Sequence, residues 1–413
     1  RTDFNLIKKM YHLIDNDDLK NPNLKWLDPC CGKGYFMIIL FDLLMISLPN
    51  IYNNRNEKAN HIIKNMLYMV EINDILCNDL KELFGKNANI YNLDYLDLQI
   101  GFNPDYIIGN PPWNINGSIK PPCSSKKKKL DGKTTWQDFI IKSVHLLPDY
   151  GKLLMITPSI WMKKDYNVYS FITQFRLIIH TYNAQETNKL FHNQAQTPSS
   201  YFLLTKRPVK KNVFIYDNLI QKYIAYPINN GSLPLSDCYN IKQLIPFVKK
   251  YGYIKVNKTN VLSGTRRKNN KVILSNTESF ETPYVNIKTC KQNSNKIDPK
   301  LILEYTSEKC PYADTIKLVL AHKMYGLPFY DKFAKYGISG RDNYVITNKN
   351  DKEFIMLYKF LSLKCIIKLF DATRYRMRYL EKYIFEMLPD ITNIPDFPRI
   401  INEKNIINYF QLM

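Results

Sequence analysis

Apolar residues in the first half of the chain follow two alternating rhythms. Phe4 to Asp15 carries them at the three- and four-residue spacing of an amphipathic helix, and Tyr35 to Ser47 is apolar almost throughout. Between these lies a short run, Lys25 to Asp28, that predicts a buried strand. The alternation then repeats. Strands are expected over Asn65 to Glu71, Asn89 to Leu93, Asp105 to Gly109, Lys152 to Pro158 and Tyr201 to Lys206, and helices over Asp74 to Phe84 and Trp136 to Leu147. Strands spaced by helices in this way predict an α/β fold with a doubly wound, mostly parallel sheet. Ligands of such sheets bind beyond the carboxyl ends of the strands. Asp28, Glu71, Asp94 and Asn110 each fall at or just after a predicted strand end, so one convergent site accounts for all four.

The rhythm stops after Lys206-Arg207-Pro208, which predicts a first domain over 1–207 and a second, α+β domain over 208–413. The second half holds a basic stretch, Asn257 to Lys271, with Arg266, Arg267 and Lys268. A glycine-marked turn is expected from Gly337 to Arg341. A long helical pattern runs from Lys352 through Leu388, interrupted near Asp371, and sets Arg374, Arg376 and Arg378 near one another. In the first half the polar segment Asn114 to Thr135, with Lys126, Lys127, Lys128 and Lys129, reads as a mobile loop over the mouth of the site.

At 413 residues the chain is too long for one ordinary core, which agrees with two domains. A formal charge of +21 points toward a polyanion, with a phosphate backbone the first candidate. Much of the excess is Lys in a chain also rich in Asn, Ile and Tyr, so AT-rich coding shares the credit. Eight cysteines without a CxxC pair argue against a disulfide framework or zinc site and for a reduced, cytoplasmic setting. That setting is a bacterial cell, or the host cytoplasm if a large DNA virus encodes the chain. The longest apolar stretch, Tyr35 to Pro49, contains Asp42 and is too short to span a membrane. Because the chain begins at Arg1, it reads as a piece of something longer.

Two turns carry the chemistry. In Asp28-Pro29-Cys30-Cys31-Gly32-Lys33-Gly34 the glycines let backbone N–H groups approach a ligand closely, and Asp28 offers an acceptor for an amino group. Glu71 is placed to take ribose hydroxyls. Asp94 offers an acceptor to an adenine amine, with Tyr95 packing on the ring. Asn110-Pro111-Pro112-Trp113 closes a strand with two residues that lack N–H, which frees carbonyls for a substrate amine, and adds an aromatic face for stacking. Singly, each of these groups is also an ordinary strand end, surface or core residue.

Together, DPCCGKG at Asp28, the acidic strand end at Glu71, LDYL at Asp94 and NPPW at Asn110 resemble the amino-methylating DNA methyltransferases. The match is nearest to the adenine-N6 type of restriction-modification systems, in which a Rossmann-like catalytic domain precedes a target-recognition domain. The resemblance covers roughly residues 1 to 207. It implies S-adenosylmethionine as cofactor, held by Asp28, Pro29, Cys30, Gly32, Gly34, Glu71, Asp94 and Tyr95. It makes Asn110, Pro111, Pro112 and Trp113 catalytic, and Trp113 and Phe191 the rings that stack on a flipped adenine. Thr2 stands at the family's N-terminal cofactor motif without its usual proline. The implied transfer is direct and in line, needing neither metal nor covalent nucleophile. Double-stranded DNA is the implied partner, through the lysines and arginines named above and Arg341, with a cognate restriction endonuclease as a further one.

Other functions fit parts of the pattern. A glutamine-amide protein methyltransferase carries the same kind of turn, and an RNA adenine methyltransferase shares its chemistry, but the basic second half favours DNA. Cytosine-N4 transfer uses the same geometry, with Asn at the first position favouring adenine. Pro122-Cys123 lacks the strand-end setting of a cytosine-C5 nucleophile. A degenerate, non-enzymatic DNA-binding module is disfavoured by the intact turns.

Overall fold

A computed structural model describes residues 2–114, 134–208, 211–228, 231–259, 272–292, 299–322, 327–340, 343–376 and 379–413. The chain divides into two compact units, the first comprising Arg1–Tyr216 and Lys222–Asn229. Its strands are β1 (Trp26–Asp28), β2 (Leu67–Glu71), β3 (Asn89–Asn92), β4 (Tyr106–Gly109), β5 (Lys152–Pro158), β6 (Phe175–Tyr182), β7 (Ser199–Pro208), β8 (Asn212–Asp217) and β9 (Lys222–Pro227). They form one sheet in the order β3-β2-β1-β4-β5-β7-β6-β8-β9. The pairs from β3 to β5 are parallel, and β7 runs antiparallel to both β5 and β6.

The central strands β1, β4 and β5 are buried along nearly their whole length. Trp26 and Leu27 are fully buried, and Trp26 stacks on Tyr106 of β4 with ring centroids 4.1 Å apart. Helices α1 (Phe4–Tyr11), α2 (Tyr35–Ser47), α3 (Asp74–Phe84) and α4 (Trp136–Leu146) flank the sheet. The expected first helix ends early, because the Asp15 side chain caps the Asp17 N–H and opens a separate helix, Asn16–Leu19. The start of the predicted strand at Asn65 is instead a π-helical turn, Ile62–Met66. Sequence periodicity missed β6, and β8 and β9 carry the sheet beyond residue 207.

The second unit comprises Asp217–Gln221 and Asn230–Met413. One four-stranded sheet orders β10 (Asn257–Lys258), β17 (Asn343–Ile346), β14 (Lys317–Ala321) and β15 (Phe329–Asp331). The other orders β11 (Leu274–Ser275), β13 (Pro299–Thr306), β12 (Tyr284–Gln292) and β16 (Gly337–Ile338). The expected turn at Gly337 is therefore extended, pairing in parallel with Asn286 and Ile287. The expected helix over 352–388 is also broken. It consists of Asp351–Leu361, Lys364–Leu369, a 3₁₀ turn at Phe370–Thr373 and Tyr383–Met387. Tyr375 is fully buried with its hydroxyl on the Leu233 carbonyl at 2.6 Å, which holds the chain around Arg374 and Arg376 out of a helix.

Candidate active site

The loop after β1 folds around a buried carboxyl. Asp28 is fully buried; its Oδ1 accepts from the Cys30 N–H at 3.1 Å, and its Oδ2 is buried with no hydrogen-bond partner. Burial pushes the carboxyl up to about 8, the Cys30 N–H opposes that shift, and the Glu71 charge adds to it. Gly109 is required opposite: a Cβ there would come within 2.8 Å of Asp28 Oδ1.

The same loop is tied to both neighbouring strands. Toward β2, Cys31 N–H donates to the Val70 carbonyl at 2.9 Å and Gly32 N–H to Glu71 Oε2 at 2.9 Å. The other Glu71 oxygen accepts from Asn73 N–H, also at 2.9 Å. Toward β4, the Cys30 thiol donates to the Asn110 carbonyl at 3.1 Å. Burial raises the Cys30 thiol first, helped by the Asp28 charge, so it stays protonated and able to donate. The glycine turn and the Asn110 turn thus meet at one sheet edge.

Asn110 is held on both sides of its amide. The Trp113 indole N–H donates to Asn110 Oδ1 at 3.0 Å, and Asn110 Nδ2 donates to the Thr2 hydroxyl at 3.0 Å. An indole nitrogen is only a donor, so this bond decides which amide atom faces it. The Pro112 carbonyl accepts from the Thr135 hydroxyl at 2.8 Å, whereas the Pro111 carbonyl has no donor among the described residues. Trp113 and Phe191 are brought together, but edge to face: the rings are 5.1 Å apart at 66°, so no face-to-face clamp is formed.

Other expected residues fall differently. Asp94 caps the 3₁₀ turn Tyr95–Asp97 by accepting from Leu96 N–H. Tyr95 is 2% exposed, with its hydroxyl on Ser143 and its ring against Phe139, so it braces the core and has no face left for a ligand ring. Arg376 is exposed, while Arg374 is largely buried against Asp371 at 2.7 Å. Lys126, Lys127, Lys128, Cys123, Arg266, Arg267, Lys268, Arg341 and Arg378, with most of the expected mobile loop, lie outside the described residues. Sequence reasoning missed Gly109, Thr135 and the contact of Thr2 with Asn110. No spacing rule links residues 2 and 110, though the glycine ending β4 was a visible hint.

A cationic, hydroxyl-bearing cofactor suits these groups. The orphaned Asp28 oxygen lacks a donor, Glu71 stands at the end of β2, and a Cβ on Gly32 would meet nothing within 4 Å. Among the described residues no group of His, Cys, Asp or Glu could hold a metal ion, and no helix is long and apolar enough to cross a membrane.

A sheet ordered 3-2-1-4-5-7-6 with its seventh strand reversed, and a glycine turn after the first, is the fold of class I S-adenosylmethionine-dependent methyltransferases. Residues 37–191 match the family model of the Eco57I restriction-modification methylases. It is 25% identical, over a 205-residue alignment, to the type II methyltransferase M.AccI of Acinetobacter calcoaceticus. That alignment covers 44% of this chain and only 37% of the relative's length. Similar solved structures include the type IIL restriction-modification enzyme MmeI in complex with DNA (TM-score 0.47, 10% identity, 92% of this chain and 64% of that one). Another is the M protein of the type I restriction enzyme EcoKI (TM-score 0.38, 14% identity, 52% of this chain and 48% of that one).

Proposed function

We propose that this chain methylates the N6 amino group of adenine within a specific double-stranded DNA sequence, using S-adenosylmethionine. The observation that supports this most is the meeting of the Asp28–Gly34 loop with the Asn110–Trp113 turn, joined by the Cys30 thiol on the Asn110 carbonyl at 3.1 Å. Asp28, Gly32 and Glu71, with Pro29, Cys30 and Gly34 shaping the loop, would hold the cofactor. When bound, S-adenosylmethionine supplies an electrophilic methyl group.

The amino nitrogen of adenine is a poor nucleophile because its lone pair is delocalised into the ring. Asn110 Oδ1 takes one bond from Trp113 and keeps a second lone pair for the first amine proton. The Pro111 carbonyl takes the other. Both acceptors draw positive charge away from the nitrogen as it becomes pyramidal, which is preorganised electrostatic stabilisation. Thr2 and Trp113 hold Asn110 in place for this, and rotational freedom lost in advance lowers the barrier. Extruding the base costs a few kcal/mol. Stacking on Trp113 and Phe191, at about 1–3 kcal/mol per base, offsets much of it.

In this assignment residues 1–207, with the strands that extend the sheet, form the catalytic domain and 208–413 the target-recognition domain. The chain then works in the compartment that holds the DNA, alongside a cognate restriction endonuclease. Single-molecule sequencing of DNA from cells expressing the chain should report N6-methyladenine in one short motif. Asn110→Ala should abolish that signal while cofactor affinity stays within a few-fold. Substantial turnover by this variant, or methyl transfer to RNA or protein glutamine in place of DNA, would overturn the assignment.

A further inference from the structure

Two phenylalanines of the second unit stand almost wholly in solvent, Phe280 at 101% and Phe333 at 86% exposure. Their settings differ. Phe333 tips a turn that follows β15 and is braced from beneath by a buried charge pair. The Asp331 carboxylate accepts the N–H groups of Lys335 at 2.9 Å and Tyr336 at 3.0 Å, and the Asp331 carbonyl accepts Ala334 N–H at 3.3 Å. Asp331 is paired at 2.6 Å with Lys317, which is fully buried and also donates to the carbonyls of Thr315 and Tyr336. Ala334 is held at a φ of +52°, where a residue with a Cβ is uncommon. The turn is thus held firmly while its apolar tip stays in solvent.

Charge selects the partner. Lys332 and Lys335 flank Phe333, both are exposed, and neither has a carboxylate partner among the described residues. Phe280 sits on the Ser279–Thr282 turn between exposed Glu278 and Glu281, which would repel a polyanion. An apolar tip between two cations matches a duplex, where apolar side chains wedge into a base step while cations neutralise the neighbouring phosphates.

We propose that the Asp331–Tyr336 turn is a DNA wedge: Phe333 inserts against the bases of a duplex step, and Lys332 and Lys335 bind the flanking phosphates. This rests on duplex DNA being the substrate and adds a contact point within the second unit. Full-length variants are compared for affinity to a labelled mixed-sequence duplex, for its salt dependence, and for Tm. Phe333→Ala should weaken binding roughly tenfold, as loss of one base–aromatic contact does, with Tm and salt slope unchanged. The double variant Lys332→Gln, Lys335→Gln should lower the salt slope by about two. Phe280→Ala should bind as the wild type does.

The wedge is overturned if Phe333→Ala matches the wild type in affinity, if it lowers Tm, or if Phe280→Ala loses as much. Each of these can occur while the wild type still binds and methylates duplex DNA, in which case the enzymatic assignment stands. A wild type that neither binds nor methylates duplex DNA removes both.

Discussion

Asp28 is a carboxyl placed where ionising is hard, and its titration can be followed. An unfolded Asp titrates near 4, whereas burial raises the folded group to about 8. Below the unfolded value both states are protonated and the group's stabilisation is fully present. As pH rises toward 8 the unfolded chain sheds its proton while the folded one keeps it, so stability falls. Asp28→Asn should flatten this decline and raise the Tm of the cofactor-free protein at pH 8; an unchanged profile would refute it. A cationic cofactor beside Asp28 favours the ionised form, so its affinity in the wild type should rise with pH until about 8 and not in Asp28→Asn, as read by calorimetry. At this scale the sequence displayed the Asn110–Trp113 turn but not its supports. Asn110 was legible from its two prolines, while the hydroxyl of Thr2 and the indole N–H of Trp113 reach it only through the fold. Tyr95 shows the opposite error, since a motif aromatic proved to be a core brace.

Elements were legible where periodicity was long and the ends were marked. Helices α2 and α3 and strand β5 span the residues expected, and Asn73 caps α3 through its side chain. Between β1 and α2, Gly34 has a φ of +76°, and a Cβ there would lie 2.7 Å from Leu80 Cδ2. Gly34→Ala should therefore destabilise the protein by about 1–2 kcal/mol, from the left-handed backbone alone, and also weaken cofactor binding. Urea unfolding checks the first effect and calorimetry the second; wild-type stability would show that the loop relaxes freely. Strand β6 was missed because the helices on either side of it, Tyr169–Thr173 and Ala184–Leu190, are too short to show a helical rhythm, and it joins the sheet through an antiparallel neighbour. The broken helix after Lys352 misled because Phe370 and Thr373 are buried three residues apart, as on an α-helix, yet lie on a 3₁₀ turn that ends at Thr373.

The two units of the molecule differ in how openly the sequence announces them. In the first, a regular alternation of strands and helices gives a parallel sheet almost by rule. The second is built from short strands paired over long sequence separations, such as Asn257–Lys258 with Tyr344–Val345, which leave little periodic trace. The formal charge of +21 belongs to the whole chain. If phosphate contacts dominate, duplex affinity should fall steeply and linearly on a log–log plot against salt, and a flat plot would count against DNA as partner.

One contact in the first unit bears on substrate choice. The Trp113 and Phe191 rings, 5.1 Å apart and tilted, leave no slot for a base, which needs roughly 7 Å between two parallel faces. Parting them takes work, which under the proposed function would come from binding elsewhere along a long polymer. If adenine is the base that is methylated, a free adenosine nucleotide has no such reserve, and the abundant small-molecule pool of the cell would be spared.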